Sequence, residues 1–449
     1  MHEVDEVDGE TFDVVIAGGS FAGSASALAF ARSGARVLVC EPGLASERRL
    51  AGELLQAPAV ELLTRLGFID DVWAAGAIPF CGFAIFPGGE RRPVVLSYAE
   101  VDDLHPSGLA IEHATLAHAM LLTVAANPNV TCVRGRVVPP AGWDDAPAKL
   151  AVESVAGRAH VTAALVVAAD GRTSKLRDSA GIKTTKGRSQ RMLGMRVEDR
   201  YLPTEGYGHV FLGGKSPVLA YRVGPRQVRF MFEVDEETPL RPHADDLAAI
   251  PPGLAAAVAE ACAERRALSA VIFSVQTASR TAGRLALVGD AAGAAHPITA
   301  SGVSFALSDA ATLAACYEQS RGDVARALRA YEAARVTPAL TRGLLAPALR
   351  RALGEDTEAM HALRDGLLQY WQSDRRGRAA SMGLLSTRDA NPSTVVAEYG
   401  RVVAHSLHRL HRERRGVAHV SKIGWALGKE RLSLAASTLS GALRTRARR

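Results

Sequence analysis

The chain has 449 residues, 48% hydrophobic and 22% charged, with 41 Gly and 21 Pro. This is the composition of a folded globular protein and excludes collagen-like, coiled-coil and wholly disordered architectures. Fifty-three basic against 47 acidic side chains give a net charge of +6, which admits anionic cofactors or membrane surfaces but does not call for nucleic acid. The five cysteines are scattered, with no C-x-x-C or Cys/His cluster, so neither a disulfide framework nor a metal site is expected. The start MHEVDEVDGE is acidic where a secretion signal is basic then apolar, and no apolar run reaches the roughly 18 residues of a membrane span, so a cytoplasmic setting is expected.

Residues 12–41, FDVVIAGGSFAGSASALAFARSGARVLVCE, pass from an apolar run of strand length through glycines into an Ala-rich helical stretch and back to a second apolar run. That pattern predicts a βαβ unit. Over 53–76, Leu54, Leu55, Val60, Leu62, Leu63, Leu66 and Val72 recur at spacings of three and four, predicting a helix pair broken at Gly67. A short, interrupted region follows to about Ile111. Next come a helix over Leu116 to Ala126, a strand around Val130 to Val138, and a buried parallel strand, LVVAA, ending at Asp170-Gly171. Between 208 and 234, GHVFLGG, PVLAYRV and QVRFMFEV are β-branched and aromatic and are separated by Gly/Pro turns, predicting an antiparallel sheet over a pocket. Its Phe211, Tyr221, Phe230 and Phe232 either line an apolar cavity or form ordinary core. Another apolar run, Leu285 to Val288, leads into Gly289-Asp290, a helix starts near Gly302, and the chain beyond 320 is mostly helical.

The expected fold class is α/β: a Rossmann-type nucleotide-binding domain with an inserted antiparallel β-sheet substrate domain and a helical C-terminal region. The nucleotide-binding domain takes 1–78, 111–187 and 279–330, the substrate domain 79–110 and 188–278, and the helical region 331–449.

Gly18-Gly19-Ser20-Phe21-Ala22-Gly23 has G-x-G-x-x-G spacing with Ser20 at the second glycine, and Glu41 follows Gly23 by eighteen residues. Glycines at the turn and at the helix contact let backbone N–H groups face a pyrophosphate, and an acid at the end of the second strand accepts hydrogen bonds from a ribose. Such an element binds NAD or FAD; the choice rests on residues downstream.

Two downstream segments follow apolar strands: Asp170-Gly-Arg-Thr-Ser-Lys-Leu-Arg177, and Gly289-Asp290 with His296-Pro-Ile-Thr-Ala-Ser-Gly302. This order resembles the FAD-dependent monooxygenases of the para-hydroxybenzoate hydroxylase fold. Within them the chain is most similar to the squalene epoxidases, whose R-x-x-G-E-L-L-Q and H-P-L-T-G-G-G segments resemble Arg49–Gln56 and His296–Gly302. The resemblance covers about 12–315 in scattered blocks.

It implies FAD held by Gly18, Ser20, Phe21, Ala22, Gly23 and Glu41, with Arg49 near the phosphate or ribose, and with His113 and Val137 as further contacts. Asp170 would organise the flavin and reductant region and Asp290 the ribitol hydroxyls. Pro297, Ala300, Ser301, Gly302 and Val303 would form a loop and helix start whose N–H groups and dipole stabilise charge on reduced flavin. The bland alternatives are an N-cap for Asp290 and a turn-forming Asp-Gly for Asp170. Three positions depart from the family pattern: His113 stands where the wider family places Arg two residues before a helix at Thr115, Ala300 replaces a glycine, and Ser304 stands where many hydroxylases carry Asn.

The implied activity is monooxygenation. O2 and NADH or NADPH, or electrons from a partner reductase, would serve to epoxidise or hydroxylate a bulky apolar substrate, prenylated or polycyclic, through a flavin hydroperoxide. The flavin carries the chemistry, so no catalytic triad is expected, and His296 is the one weak candidate for holding a proton. An aromatic-ring hydroxylase, an isoprenoid double-bond reductase and a non-enzymatic prenyl-ligand carrier on the same fold stay open. A flavin halogenase is disfavoured because its W-x-W-x-I-P signature is missing. In the C-terminal stretch, Val420, Ile423, Trp425, Leu427 and Leu432 lie among Lys422, Lys429 and Arg431. This pattern reads as a peripheral membrane helix or as one packed on its own domain.

Overall fold

The computed structural model describes residues 2–43, 50–88, 92–144, 146–198, 200–234, 241–413 and 415–447. Thr11–Ala17 and Val37–Cys40 run parallel on either side of helix α1 (Phe21–Arg32), so Val14 pairs with Val37 and Ala17 with Cys40. Arg158–Ala168 adds on the other side, with Val14 opposite Leu165. The sheet runs Thr281–Ala282, Leu285–Leu287, Arg158–Ala168, Thr11–Ala17, Val37–Cys40, Val130–Val133. Its central strands are apolar and buried on both faces, as a parallel sheet covered on both sides requires. Helix α1 is buried almost all round, which its run of Ala, Ser and Gly permits, since small side chains let two helices approach closely.

Leu54 and Leu55 do not start a helix. They form a two-residue strand against Gly108–Ala110, and α2 (Ala57–Leu66) begins after Gln56, with Pro58 in its first turn. The apolar spacing alone could not separate the two states, but a proline at the start of a helix marks where it begins. Gly67, left-handed at φ +86°, separates α2 from α3 (Ile69–Ala74). Helix α4 spans His113–Ala125, two residues earlier than the family pattern places it, and α5 (Lys175–Ser179) follows Asp170.

A second, seven-stranded sheet runs Leu268–Ile272, Gln190–Glu198, Gln227–Val234, Val218–Gly224, Gly208–Phe211, Gly82–Phe86, Val94–Ser97. It is antiparallel except where Gly208–Phe211 meets Gly82–Phe86. Helix α6 (Ala244–Ala248) leads to α7 (Pro252–Ala263), which covers one face of the sheet. Phe211, Phe230 and Phe232 pack there with Leu254 and Val258. Three of the four aromatics offered as cavity lining are therefore core beneath α7. Strand alternation turns their neighbours Arg229 and Met231, and Tyr221 of the next strand, to the opposite face.

After Leu285–Leu287, α8 (Gly302–Gln319) packs on α1, and the Tyr331 hydroxyl donates to the Leu287 carbonyl from α9 (Val324–Gly354). Helices α10 (Glu358–Ser373), α11 (Arg375–Leu385), α12 (Pro392–Arg412) and α13 (Val417–Ala447) complete the chain. Their apolar faces join Leu54, Phe80, Tyr98 and Met231 in one core, to which α13 contributes Ile423 and Leu427. Trp425 and Leu432 of the same helix face outward, 68% and 71% exposed. Among the described residues no helix is long and apolar enough to cross a membrane.

Candidate functional site

The first part of the site is a backbone turn. Gly18 leaves its strand at φ +102°, and its N–H donates to the Cys40 carbonyl. A Cβ on Gly18 would lie 2.5 Å from the Ala169 carbonyl oxygen, and one on Gly23 would lie 1.7 Å from the Gly18 carbonyl oxygen. No side chain fits at either place, so the strand can bend straight into α1. Ser20 is the N-cap of α1 but its hydroxyl caps nothing, which leaves the first-turn N–H groups beside Phe21 and Ala22 without a side-chain partner. Glu41 is buried beside this turn: Oε2 accepts from the Gly19 N–H at 2.7 Å and Oε1 from the Gly43 N–H at 2.8 Å. Arg49 lies outside the described residues.

The second part comes from the ends of the two neighbouring strands. Asp170 Oδ2 accepts from the N–H groups of Lys175 and Leu176 at the start of α5, whose N-cap is Ser174, yet its Oδ1 is buried with no hydrogen-bond partner. Burial pushes its carboxyl above the ordinary range, against the pull of those N–H groups. Asp290 caps no helix. It sits in the Gly289–Ala291 turn with one carboxylate oxygen 3.2 Å from Arg172 Nη2. The tie to α8 is made by Asp309, which accepts from the Gly289 N–H at 2.9 Å and pairs with Arg335 at 2.6 Å. A Cβ on Gly289 would lie 2.9 Å from that of Ala22, so this turn abuts the start of α1.

The third part is the loop before α8. Pro297–Thr299 is a short 3-10 turn, Ala300 is left-handed at φ +47°, Ser301 is the N-cap, and Gly302 and Val303 open the helix. A glycine would take the Ala300 conformation freely; alanine holds it at a cost of about 1 kcal/mol. Val303 lies 3.5 Å from where a Cβ on Gly52 would be, and the Gly52 carbonyl is 3.1 Å from His113 Nδ1, whose ring meets Phe21 edge-on at 4.6 Å. The turn, Glu41, both aspartates and the loop thus gather at one end of the parallel sheet. The Val137 side chain packs in the apolar cluster that holds Val4 and Val152. His296 Nδ1 accepts from the Ile298 N–H, and its Nε2 lies 3.3 Å from the Glu233 carboxylate without the alignment of a hydrogen bond. Burial pushes the Glu233 carboxyl up, but the nearby His296 ring and the Arg350 guanidinium outweigh it and hold the pKa at about 2.

The sequence singles out Arg49–Gln56 as a family segment but does not show that residues 52–56 form a strap between these parts. The Glu53 carboxylate takes Arg229 Nε at 2.9 Å and Nη2 at 2.6 Å and the Tyr221 hydroxyl at 3.1 Å, with both side chains of the ion pair 1% exposed. Gln56, also buried, donates to the Thr299 carbonyl at 2.9 Å and accepts from the Tyr98 hydroxyl at 2.5 Å. The strap fastens the loop to the seven-stranded sheet, and Ile298 and Ala300 pack against the apolar core on that side. One signal was present: Arg229 is the one basic residue inside an apolar strand, of opposite parity to Phe230 and Phe232, and a buried charge needs a partner. Behind the loop, Thr299, Ser301, Phe305, Arg342 and Leu345 line a cavity of about 220 Å³.

A dinucleotide with a flavin ring fits these residues. The turn leaves no room for side chains at Gly18 and Gly23, Gly302 faces open space with only Arg342 nearby, and two buried oxygens, Asp170 Oδ1 and Ser304 Oγ, have no protein partner. No group of His, Cys, Asp or Glu among the described residues has the arrangement of a metal site.

A squalene epoxidase family model matches residues 162–423. Squalene epoxidase erg1 of Aspergillus fumigatus is 28% identical over 421 residues, covering 89% of this chain and 87% of that protein. Squalene monooxygenase of Mus musculus is 25% identical, covering 88% of this chain and 71% of that one. Among solved structures, p-nitrophenol 4-monooxygenase PnpA from Pseudomonas putida DLL-E4 superposes with a TM-score of 0.69 over 85% of this chain and 100% of its own; at 21% identity this is a likeness of fold.

Proposed function

The chain belongs to the squalene epoxidase family, and on that premise we propose that it is an FAD-dependent monooxygenase. It uses O2 and NAD(P)H, directly or through a partner reductase, to epoxidise or hydroxylate a bulky apolar substrate of prenylated or polycyclic type. The observation that carries this reading is the gathering of the Gly18–Gly23 turn, Glu41, Asp170, Asp290 and the Pro297–Val303 loop at one end of the sheet, beside a core of apolar side chains.

Bound FAD supplies the activation of oxygen. The N–H groups of the turn and of the first turn of α1 take the pyrophosphate, and Glu41 takes the adenosine ribose. Asp290 takes ribitol hydroxyls, and the N–H groups at the start of α8 take the pyrimidine edge of the ring. The strap from Gly52 to Gln56 holds that loop in place through Thr299. Leu54, Phe80, Tyr98 and Tyr221, packed with Ile298 and Ala300, keep water from the reacting end, which oxygenation of an alkene requires. His296 sits at the foot of this loop with its Nδ1 accepting from the Ile298 N–H and its Nε2 3.3 Å from Glu233.

We also propose that α13 rests on an anionic membrane surface. It buries Ile423 and Leu427 and turns out Trp425 and Leu432, with Lys429 4.2 Å from the Trp425 ring and Lys422 exposed.

The test is the purified protein with FAD, NADPH, 18O2 and squalene or a related polyprene in detergent. Yellow protein and a product heavier by one 18O atom support the reading. Protein that stays colourless with added FAD points to a carrier, and a product gaining two hydrogens points to a double-bond reductase. Flotation with vesicles rich in phosphatidylserine, lost in Trp425→Glu, tests the membrane contact.

A further inference from the structure

Three arginines surround the Asp290 end of the site, and they differ in their partners. Arg335 is paired with Asp309 and Ser308, and Arg172 with Asp290. Arg342, on α9, has no carboxylate within 4 Å among the described residues. Its guanidinium lies over the Phe305 ring at 4.5 Å, its Nη1 reaches the Gly293 carbonyl only at 3.4 Å, and its Nε is buried without a hydrogen-bond partner. Burial pushes its pKa down, and Arg335 and Arg172 push the same way against the pull of Asp290 and Asp309. A partly buried cation with no ion-pair partner is costly, and one kept at a site implies an anion that comes and goes.

Its position identifies that anion. Nη2 lies 3.9 Å from where a Cβ on Gly302 would be, and Arg342 shares the walls of the cavity behind the loop with Thr299 and Ser301. The charge thus backs the same N–H groups at the start of α8. We propose that Arg342 is an electrostatic partner of the reduced cofactor, stabilising the negative charge that reduction places at the pyrimidine edge of the flavin. This rests on the FAD reading above. The reductant NAD(P)H gives up a hydride and becomes NAD(P)+, so the cofactor side gains two electrons and one proton, and with them one negative charge. Neither Asp290 nor Asp309 can serve that charge; a guanidinium can, and Phe305 holds it in place.

The experiment compares full-length wild type with Arg342→Gln and Arg342→Lys. It measures the affinity for oxidised FAD by fluorescence and the midpoint potential of the bound flavin by anaerobic dye equilibration. The expected result for Arg342→Gln is an oxidised-FAD affinity within about twofold of wild type. Its affinity for reduced flavin should fall about tenfold, which is a potential about 30 mV more negative for a two-electron couple. Arg342→Lys should recover most of the shift. Should Arg342→Gln fail to fold, Arg342→Met, which keeps the aliphatic stem against Phe305, is read in the same way. A flavin-loaded Gln or Met variant with unchanged potential overturns the inference alone, as does equal loss of oxidised and reduced binding, the mark of a merely structural role. Wild-type protein that takes up no FAD overturns the underlying reading and this inference together.

Discussion

The two sheets contribute to the site in opposite ways. At the end of the parallel sheet the working groups are mostly backbone: N–H groups of the Gly18–Gly23 turn, where a Cβ on either of those glycines would collide, and of the start of α8, where Gly302 leaves open space. On the seven-stranded sheet they are side chains of one face, Arg229, Tyr221 and Met231, while the other face is plain core under α7. A backbone-made site is tied to local residue spacing and survives changes in its surroundings. A side-chain-made site exists only once the fold has decided which face of a strand meets which neighbour.

If that contrast is right, the largest effect of a single substitution comes from one methyl group in the turn. Gly23→Ala drives a carbon into the Gly18 carbonyl, with backbone on both sides, and is expected to weaken FAD binding by more than about 1,000-fold. Gly253→Ala in α7, where a Cβ meets nothing within 4 Å, should be neutral or slightly stabilising; titration of both apoproteins with FAD decides.

Next in size is Phe230→Ala, expected to cost about 4 kcal/mol of unfolding free energy in a denaturant melt while leaving FAD affinity unchanged. A parallel loss of FAD affinity would show that the two regions cannot be separated as argued. Glu53→Gln leaves Arg229 buried without its carboxylate and should cost about 3 kcal/mol, most of it recovered in the Glu53→Met/Arg229→Met double variant. No recovery would mean that the pair serves the site through its charge as well as its packing.

The smallest effect is one of pH. The Glu233 carboxyl is held at about 2, below its ordinary 4.5, so its contribution to stability is complete above about pH 4.5 and is lost as the pH falls toward 2. The Tm advantage of wild type over Glu233→Gln should therefore be flat at neutral pH and shrink on acidification. An advantage that grows instead would break the assignment of His296 and Arg350 as its partners.

The βαβ start, the buried strand ending at Asp170 and the strands of the second sheet were legible because each is written in consecutive residues. The glycine spacing forces the turn, and the alternation of QVRFMFEV forces one parity to each face. Leu54-Leu55 is not legible as a strand because two leucines carry no period of their own; pairing with Gly108–Ala110, far off in the chain, settles it. The fate of Phe230 followed likewise from α7, which alternation alone could not foresee.

Backbone conformation, secondary-structure type and the glycine-made cradle are short-range consequences of steric exclusion, and reading along the residues is enough to find them. The Glu53–Arg229 pair joins residues 176 apart, the Gln56–Thr299 bond residues 243 apart, and the setting of Arg342 behind Gly302 depends on a helix laid across the loop. Such partners are chosen by the packing of whole elements, because burial of charge selects a neighbour in space and leaves no trace in chain order.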